Sequence, residues 1–147
     1  MAGDVAGAVL VVDDESGPRD SLRVLLTPQF RVVTAQSGEQ ALDVLRSEHI
    51  DVVTLDLSMP GMGGMKCLEA IREMDADIEV IIVSATGSPD DRARAWRYRA
   101  FGWILKPFDG AGLIEVVERA AQRRIARTKT VAVAGNRFDR RESSLSS

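Results

Sequence analysis

Asp51-Val52-Val53-Thr54-Leu55-Asp56-Leu57-Ser58-Met59-Pro60-Gly61 is the stretch that decides the fold. An apolar run rich in β-branched residues stops at a carboxylate, and a Pro-Gly turn follows. This pattern predicts a buried strand that delivers one acid, Asp56, to its C-terminal edge. An acid buried in mid-sheet is costly, whereas one at the mouth keeps access to water and counterions.

Outward from this stretch, strands and helices alternate. Ala8-Val9-Leu10-Val11-Val12 is a continuous apolar strand, closed by Asp13-Asp14-Glu15. Ser16-Gly17-Pro18 opens a helix whose inner stripe is Leu22, Leu25 and Leu26, and Pro28 ends it. Arg31–Ala35 is a second strand. Ser37 and Gln40 form a capping box before Ala41, Leu42 and Leu45. After the strand that ends at Asp56 and the glycines at 61, 63 and 64, Leu68, Ile71 and Met74 mark a third helix. Ile78–Val83 is a fourth strand, ending at Ser84-Ala85. Ser88-Pro89-Asp90-Asp91 starts a fourth helix that runs through Ala93 and Trp96 towards Ala100. Trp103-Ile104-Leu105 is a fifth strand, closed by Lys106-Pro107. Asp109 caps a last helix with Leu113, Val116, Val117 and Ala120 inside, and helical composition lasts to about Arg127.

Strands separated by helices imply an α/β fold, a parallel sheet covered on both faces. Ligands of such sheets bind outside the carboxyl ends of the strands. Four of the five strands end in Asp13-Asp14, Asp56, Ser84 and Lys106, so three carboxylates, a hydroxyl and an ammonium share one edge. Each of these alone reads as a cap or turn residue; the coincidence at matching strand ends carries the inference. Clustered carboxylates repel, and a hard divalent cation such as Mg²⁺ relieves them. A carboxylate can attack phosphorus and form an acyl phosphate, with cations stabilising the added charge. Asp56 stands alone at its strand end and is the candidate nucleophile.

The totals narrow the alternatives. A chain of 147 residues holds one domain with a core. One cysteine, Cys67, excludes an internal disulfide framework, and one histidine, His49, argues against a His-rich metal site. Cys67 reads as packing, His49 as a cation favoured at a helix end, and Met59, Met62 and Met65 as gap filling around a turn. The early apolar run is too short for a signal sequence or a membrane span, which places the protein in the cytoplasm, with no membrane partner. Residues 1–118 hold 11 Lys/Arg and 20 Asp/Glu, and residues 119–147 hold 8 and 2. The body is acidic and the tail basic. The tail reads as a solvated helix end and linker rather than a nucleic-acid contact.

From residue 7 to 126 the sequence resembles the receiver domain of bacterial two-component response regulators. The residues that carry the resemblance are Asp13-Asp14, Asp56 with Met59-Pro60-Gly61-Met62, Ser84-Ala85, and Lys106-Pro107-Phe108. The resemblance implies a flavodoxin-like, doubly wound five-stranded parallel sheet of order 2-1-3-4-5 with five helices. It implies that Asp56 accepts a phosphoryl group from a histidine kinase or phosphotransfer protein. It implies Mg²⁺ held by Asp14, Asp56 and the Ser58 backbone carbonyl, with Asp13 acting through water and Lys106 touching the phosphoryl group. The Lys106-Pro107 bond is expected to be cis. Ser84 and Trp103 match the switch pair that biases the surface of helix 4, strand 5 and helix 5, a surface that can also support a homodimer. Ser58 and Thr86 match positions that tune dephosphorylation; neither is an acid or amide, so a phosphoryl group that is not short-lived is expected. The sequence departs from the family at Arg99-Ala100, where Gly-Ala is common, and its fourth helix is basic through Arg92, Arg94, Arg97 and Arg99.

The expected organisation is a flexible segment 1–7, a receiver domain over 8–127 and a basic, Ser-rich tail over 128–147, with no output domain visible. The output is then a downstream protein or an effector beyond Ser147, without direct nucleic-acid binding by the receiver. Two other readings compete. An Mg²⁺-dependent phosphatase of the haloacid dehalogenase type needs a second acid two residues after the nucleophile, and here Ser58 stands there. A phosphate-independent receiver-like scaffold would not need the full acceptor set that is present.

Overall fold

The computed structural model describes the backbone of residues 5–146 and the side chains of residues 5–128. The elements in chain order are β1 (Ala8–Val12), α1 (Ser16–Leu26), β2 (Arg31–Ala35), α2 (Gly38–Ser47), β3 (Val52–Leu55), α3 (Gly63–Met74), β4 (Glu79–Ser84), α4 (Pro89–Arg97), β5 (Gly102–Leu105) and α5 (Gly110–Ser146). The strands form one parallel sheet of order β2-β1-β3-β4-β5.

Alternation along the strands builds two cores. Val9, Val11, Val52, Ile81 and Val83 face α1 and α5, meeting Leu22, Leu26, Leu113 and Val117. Leu10, Val12, Val53, Leu55, Val80 and Ile82 point to the other face, against Ala41 and Leu42 of α2, Leu68 and Ile71 of α3 and Ala95 of α4. The central strands β1, β3 and β4 are buried along their whole length, as a sheet covered on both faces requires. Each large side chain closed off in this way contributes about 1.5–3 kcal/mol.

Several expectations shift in detail. Met74 is 37% exposed and Trp96 52% exposed; α4 buries only Ala95 among its own residues. At about 100° per residue, a helix that turns Ala95 to the sheet must swing its neighbour Trp96 outward. Leu25 and Val116 are half-buried rather than core. Ser37 Oγ accepts from the Gln40 amide at 3.1 Å, but Gln40 Oε1 reaches back to the Gln36 amide at 2.7 Å, so the reciprocal box is displaced by one residue. The reciprocal pair is complete at α4, between Ser88 and Asp91. His49 follows the end of α2, and its Nε2 meets Asp51 Oδ1 at 2.9 Å. The Thr27–Pro28 and Lys106–Pro107 bonds are both cis.

At the amino end, residues 1–4 of the expected flexible segment lie outside the described residues. Ala6 donates to Gln29 O at 2.8 Å, and Arg31 donates to Gly7 O at 3.0 Å, so residues 6 and 7 lie along the entry to β2. At the other end, helical backbone passes Arg127 and continues to Ser146. Once a helix is nucleated on the sheet, each further residue adds a hydrogen bond. Gly135, the single glycine between residues 128 and 146, costs only about 1 kcal/mol.

Arg72 ties α3 to the segment between α4 and β5. Its guanidinium donates to the carbonyls of Tyr98 at 2.7 Å and Arg99 at 2.9 Å, and also to that of Ile78. Burial and the neighbouring Arg99 charge lower its pKa from the usual arginine value.

Cys67 is fully buried on α3, and burial, aided by the Glu39 charge, pushes its thiol up to about 12. The thiolate is the reactive form, so the folded protein is expected to resist an aromatic disulfide reagent at pH 8 and to react fully in denaturant. Fast labelling of the native chain would refute this burial.

Candidate functional site

The carboxyl edge of the sheet is held in place by backbone bonds that continue one residue beyond the strands. Asp13 N donates to Ala35 O, Asp56 N to Val12 O and Lys106 N to Ser84 O, each at 3.1 Å. Side chains that follow β1, β3 and β5 are therefore set at one level. Asp13, Asp14 and Asp56 each present an oxygen, and these oxygens lie within 4.8 Å of one another.

Lys106 bridges two of the acids. Its Nζ donates to Asp13 Oδ2 at 2.8 Å and to Asp56 Oδ2 at 2.9 Å. Burial alone would lower the lysine pKa, but the hydrogen bonds and charges of Asp13 and Asp56 outweigh it and the net shift is upward. The ammonium is thus charged at neutral pH. The second oxygens are also fixed: Asp13 Oδ1 accepts from Glu15 N at 3.0 Å, and Asp56 Oδ1 from Ser58 N at 2.9 Å. Arg19, which sequence reading passed over, donates to the Asp13 carbonyl at 2.9 Å.

Asp14 is different. Its Oδ1 is shut off from solvent and has no hydrogen-bond partner among the described residues. Three carboxylates facing one ammonium leave two negative charges, and one carboxylate oxygen lacks a donor. This donor set, all hard oxygen, fits a divalent cation such as Mg²⁺.

Ser84 lies at the same edge, fully buried, with its Oγ accepting from Thr86 N at 3.3 Å. Ser58 and Thr86 are joined through their hydroxyls at 3.0 Å. Trp103, on β5, lays its six-membered ring against Gly87, whose φ of +150° is open to glycine. Arg92 sits over the indole at 5.3 Å from its centroid, and the indole Nε1 is closed off without a hydrogen-bond partner among the described residues. Gly64 was read only as part of a glycine cluster. A side chain there would run into the Asp56 carbonyl and Leu57 Cα, so α3 approaches the Asp56 turn as closely as backbone permits.

Residues 9–118 match the response regulator receiver domain model. The chain belongs to this family. The transcriptional regulatory protein PrrA of Mycobacterium tuberculosis is 37% identical over 123 residues, covering 83% of this chain and 53% of its own length. GlrR of Escherichia coli, also a transcriptional regulatory protein, is 36% identical over 115 residues, 78% of this chain and 26% of its own. A crystal structure of NtrX from Brucella abortus superimposes with a TM-score of 0.80 at 28% identity, covering 88% of this chain and 30% of that one. The receiver therefore spans about half of one of these relatives and a quarter to a third of the others.

Receiver domains are signalling modules of two-component systems, phosphoacceptors rather than turnover enzymes. The acidic cluster of this receiver lies where the sequence placed it, at the carboxyl edge of β1 and β3. Among the described residues, no helix is long and apolar enough to cross a membrane.

Proposed function

We propose that Asp56 accepts a phosphoryl group from a phosphohistidine of a kinase or phosphotransfer protein. The observation that carries this is the Lys106 ammonium bridging Asp13 and Asp56 beside an unpartnered Asp14 oxygen. An Asp56 oxygen attacks phosphorus, a P–O bond forms, the P–N bond breaks, and the departing imidazole takes a proton. Asp13, Asp14, Asp56 and the Ser58 carbonyl would hold Mg²⁺. Bound there, the ion supplies positive charge to the transferring phosphoryl oxygens. Lys106 keeps contact with the group after transfer. Incubation with acetyl phosphate and Mg²⁺, followed by intact mass, tests the reading: one added phosphoryl, removed by hydroxylamine, is expected. No mass gain would count against this reading and favour the phosphate-independent scaffold.

Ser84 and Trp103 form the switch in this reading. The Ser84 hydroxyl turns from Thr86 N towards the phosphoryl oxygens, and the indole follows. The indole is seated on Gly87 beneath Arg92, so its surroundings change when it moves. In a Trp96→Phe background, beryllofluoride with Mg²⁺ should shift the emission of Trp103. Gly87→Ala, which places a methyl against the ring at an unfavourable φ, should shift it beforehand and blunt the response. An emission spectrum indifferent to both would remove Trp103 from the switch.

The Ser58–Thr86 hydroxyl pair supports a phosphoryl group that is not short-lived, because neither side chain is an acid or amide suited to orient water. The exposed Trp96 on α4 and Leu105 on β5 suit a homodimer through helices 4 and 5. Residues 8–127 act as the receiver and 128–147 as the connection to a downstream protein or effector domain, all within the cytoplasm.

A further inference from the structure

At the sheet edge opposite the acids, a cavity of about 420 Å³ is lined by Arg72, Arg99, Arg123, Arg127, Asp77 and Glu79, with two alanines. Four guanidiniums against two carboxylates leave two positive charges, in a space large enough for a small ligand. Arg72 spends its donors on backbone carbonyls. The guanidiniums of Arg99, Arg123 and Arg127 have no hydrogen bond among the described residues. Their contacts to acids are long: Arg123 Nε to Glu79 Oε2 at 3.4 Å, and Arg127 Nη1 to Glu79 Oε1 at 3.6 Å and to Asp77 Oδ1 at 3.9 Å. Arg123 is set against Phe101, 5.8 Å from the ring centroid. Arg99 holds a left-handed φ of 60°, a conformation glycine adopts more readily. Arg124 is not part of this set; it pairs with Asp75 at 3.1 Å.

Glu79 decides what kind of anion fits. Its side chain is 4% exposed, and Oε2, 3.4 Å from Arg123 Nε, accepts no hydrogen bond among the described residues. A buried carboxylate oxygen beside guanidiniums that touch acids only at ion-pair distance suits a ligand that is anionic and also carries a proton. Inorganic phosphate near neutral pH has negative oxygens for the arginines and at least one P–OH to donate to Glu79. Sulfate has the charge but no proton, and it would set an oxygen against the carboxylate. We infer that this cavity is a binding site for inorganic hydrogen phosphate. The Glu79 carboxylate selects the proton, and Arg99, Arg123 and Arg127 hold the anionic oxygens. The site is separate from Asp56 and does not rest on its phosphorylation. Because Arg123 and Arg127 belong to α5, the bound anion fastens that helix to the sheet.

The test is an amide NMR titration of the full chain with inorganic phosphate, sulfate and chloride at matched ionic strength, with EDTA present. Shifts should gather at Glu79, Arg99 and Ala100, and phosphate should bind at least about tenfold more tightly than sulfate. Arg99→Gly, which suits the local φ and so keeps the fold, should weaken phosphate about tenfold. Glu79→Gln should bring the phosphate-to-sulfate ratio to one or below. Equal affinity for the two anions, shifts confined to the Asp56 edge, indifference to Arg99→Gly, or a preference retained in Glu79→Gln would each overturn the site.

Discussion

Asp56→Asn is expected to lose phosphoryl uptake from acetyl phosphate by at least about a thousandfold, because the proposed nucleophile is removed. The amide is nearly isosteric, and its oxygen can still accept from Ser58 N, so the turn should persist. Lys106 retains Asp13 as a partner at 2.8 Å. One charge leaves a cluster of three carboxylates, which offsets part of the lost ion pair. The lost pair and the relieved repulsion oppose each other, so thermal stability should change by no more than about 1 kcal/mol. Intact mass after incubation and a melting curve report the two quantities together. A variant that melts normally and still gains a phosphoryl would move the acceptor to Asp13 or Asp14.

Gly64→Ala is expected to be the most damaging single methyl in the receiver. The new carbon meets the Asp56 carbonyl oxygen and Leu57 Cα, and both are backbone, which has no rotamer to escape into. Gly64 N also donates to Leu57 O at 3.3 Å, so α3 cannot move away without breaking that bond. A loss of about 3 kcal/mol follows, or roughly 10–15 °C in melting temperature. The Asp56 turn moves with it, so phosphoryl uptake should fall in the population that stays folded. Gly17→Ala supplies the contrast: nothing lies within 4 Å of a methyl there, and the position is helical. That change should raise stability by about 0.5 kcal/mol. Equal melting of the two variants would show that the close approach at Gly64 does not constrain the turn.

Much of the site was legible in one dimension. A strand ending in an acid, three more strands ending in polar groups and helices between them determine a parallel sheet with those groups on one edge. Parallel pairing forces the C-terminal ends together whatever the packing details are. Asp13, Asp14 and Asp56 could thus be grouped before any distance was known. Helix faces were less legible. Trp96 and Met74 are apolar enough to pass as core, yet one step of rotation puts Ala95 on the sheet and Trp96 in solvent. Periodicity gives a face, but the rotation of a short helix is set by the close approach of its smallest residue.

By itself the sequence determined the alternation of elements, the sheet edge that carries the acids and the likeness to a receiver domain. These are properties of local pattern and chain direction, and they survive any adjustment of packing. Only the tertiary structure decided that Lys106 bridges two acids and leaves Asp14 Oδ1 without a donor among the described residues. It also decided that Arg72 binds backbone carbonyls from distant segments, and that Arg99, Arg123 and Arg127 surround Glu79 at the far edge. Such contacts join residues tens of positions apart, and their meaning depends on which donors and acceptors remain unspent once the backbone has taken its share.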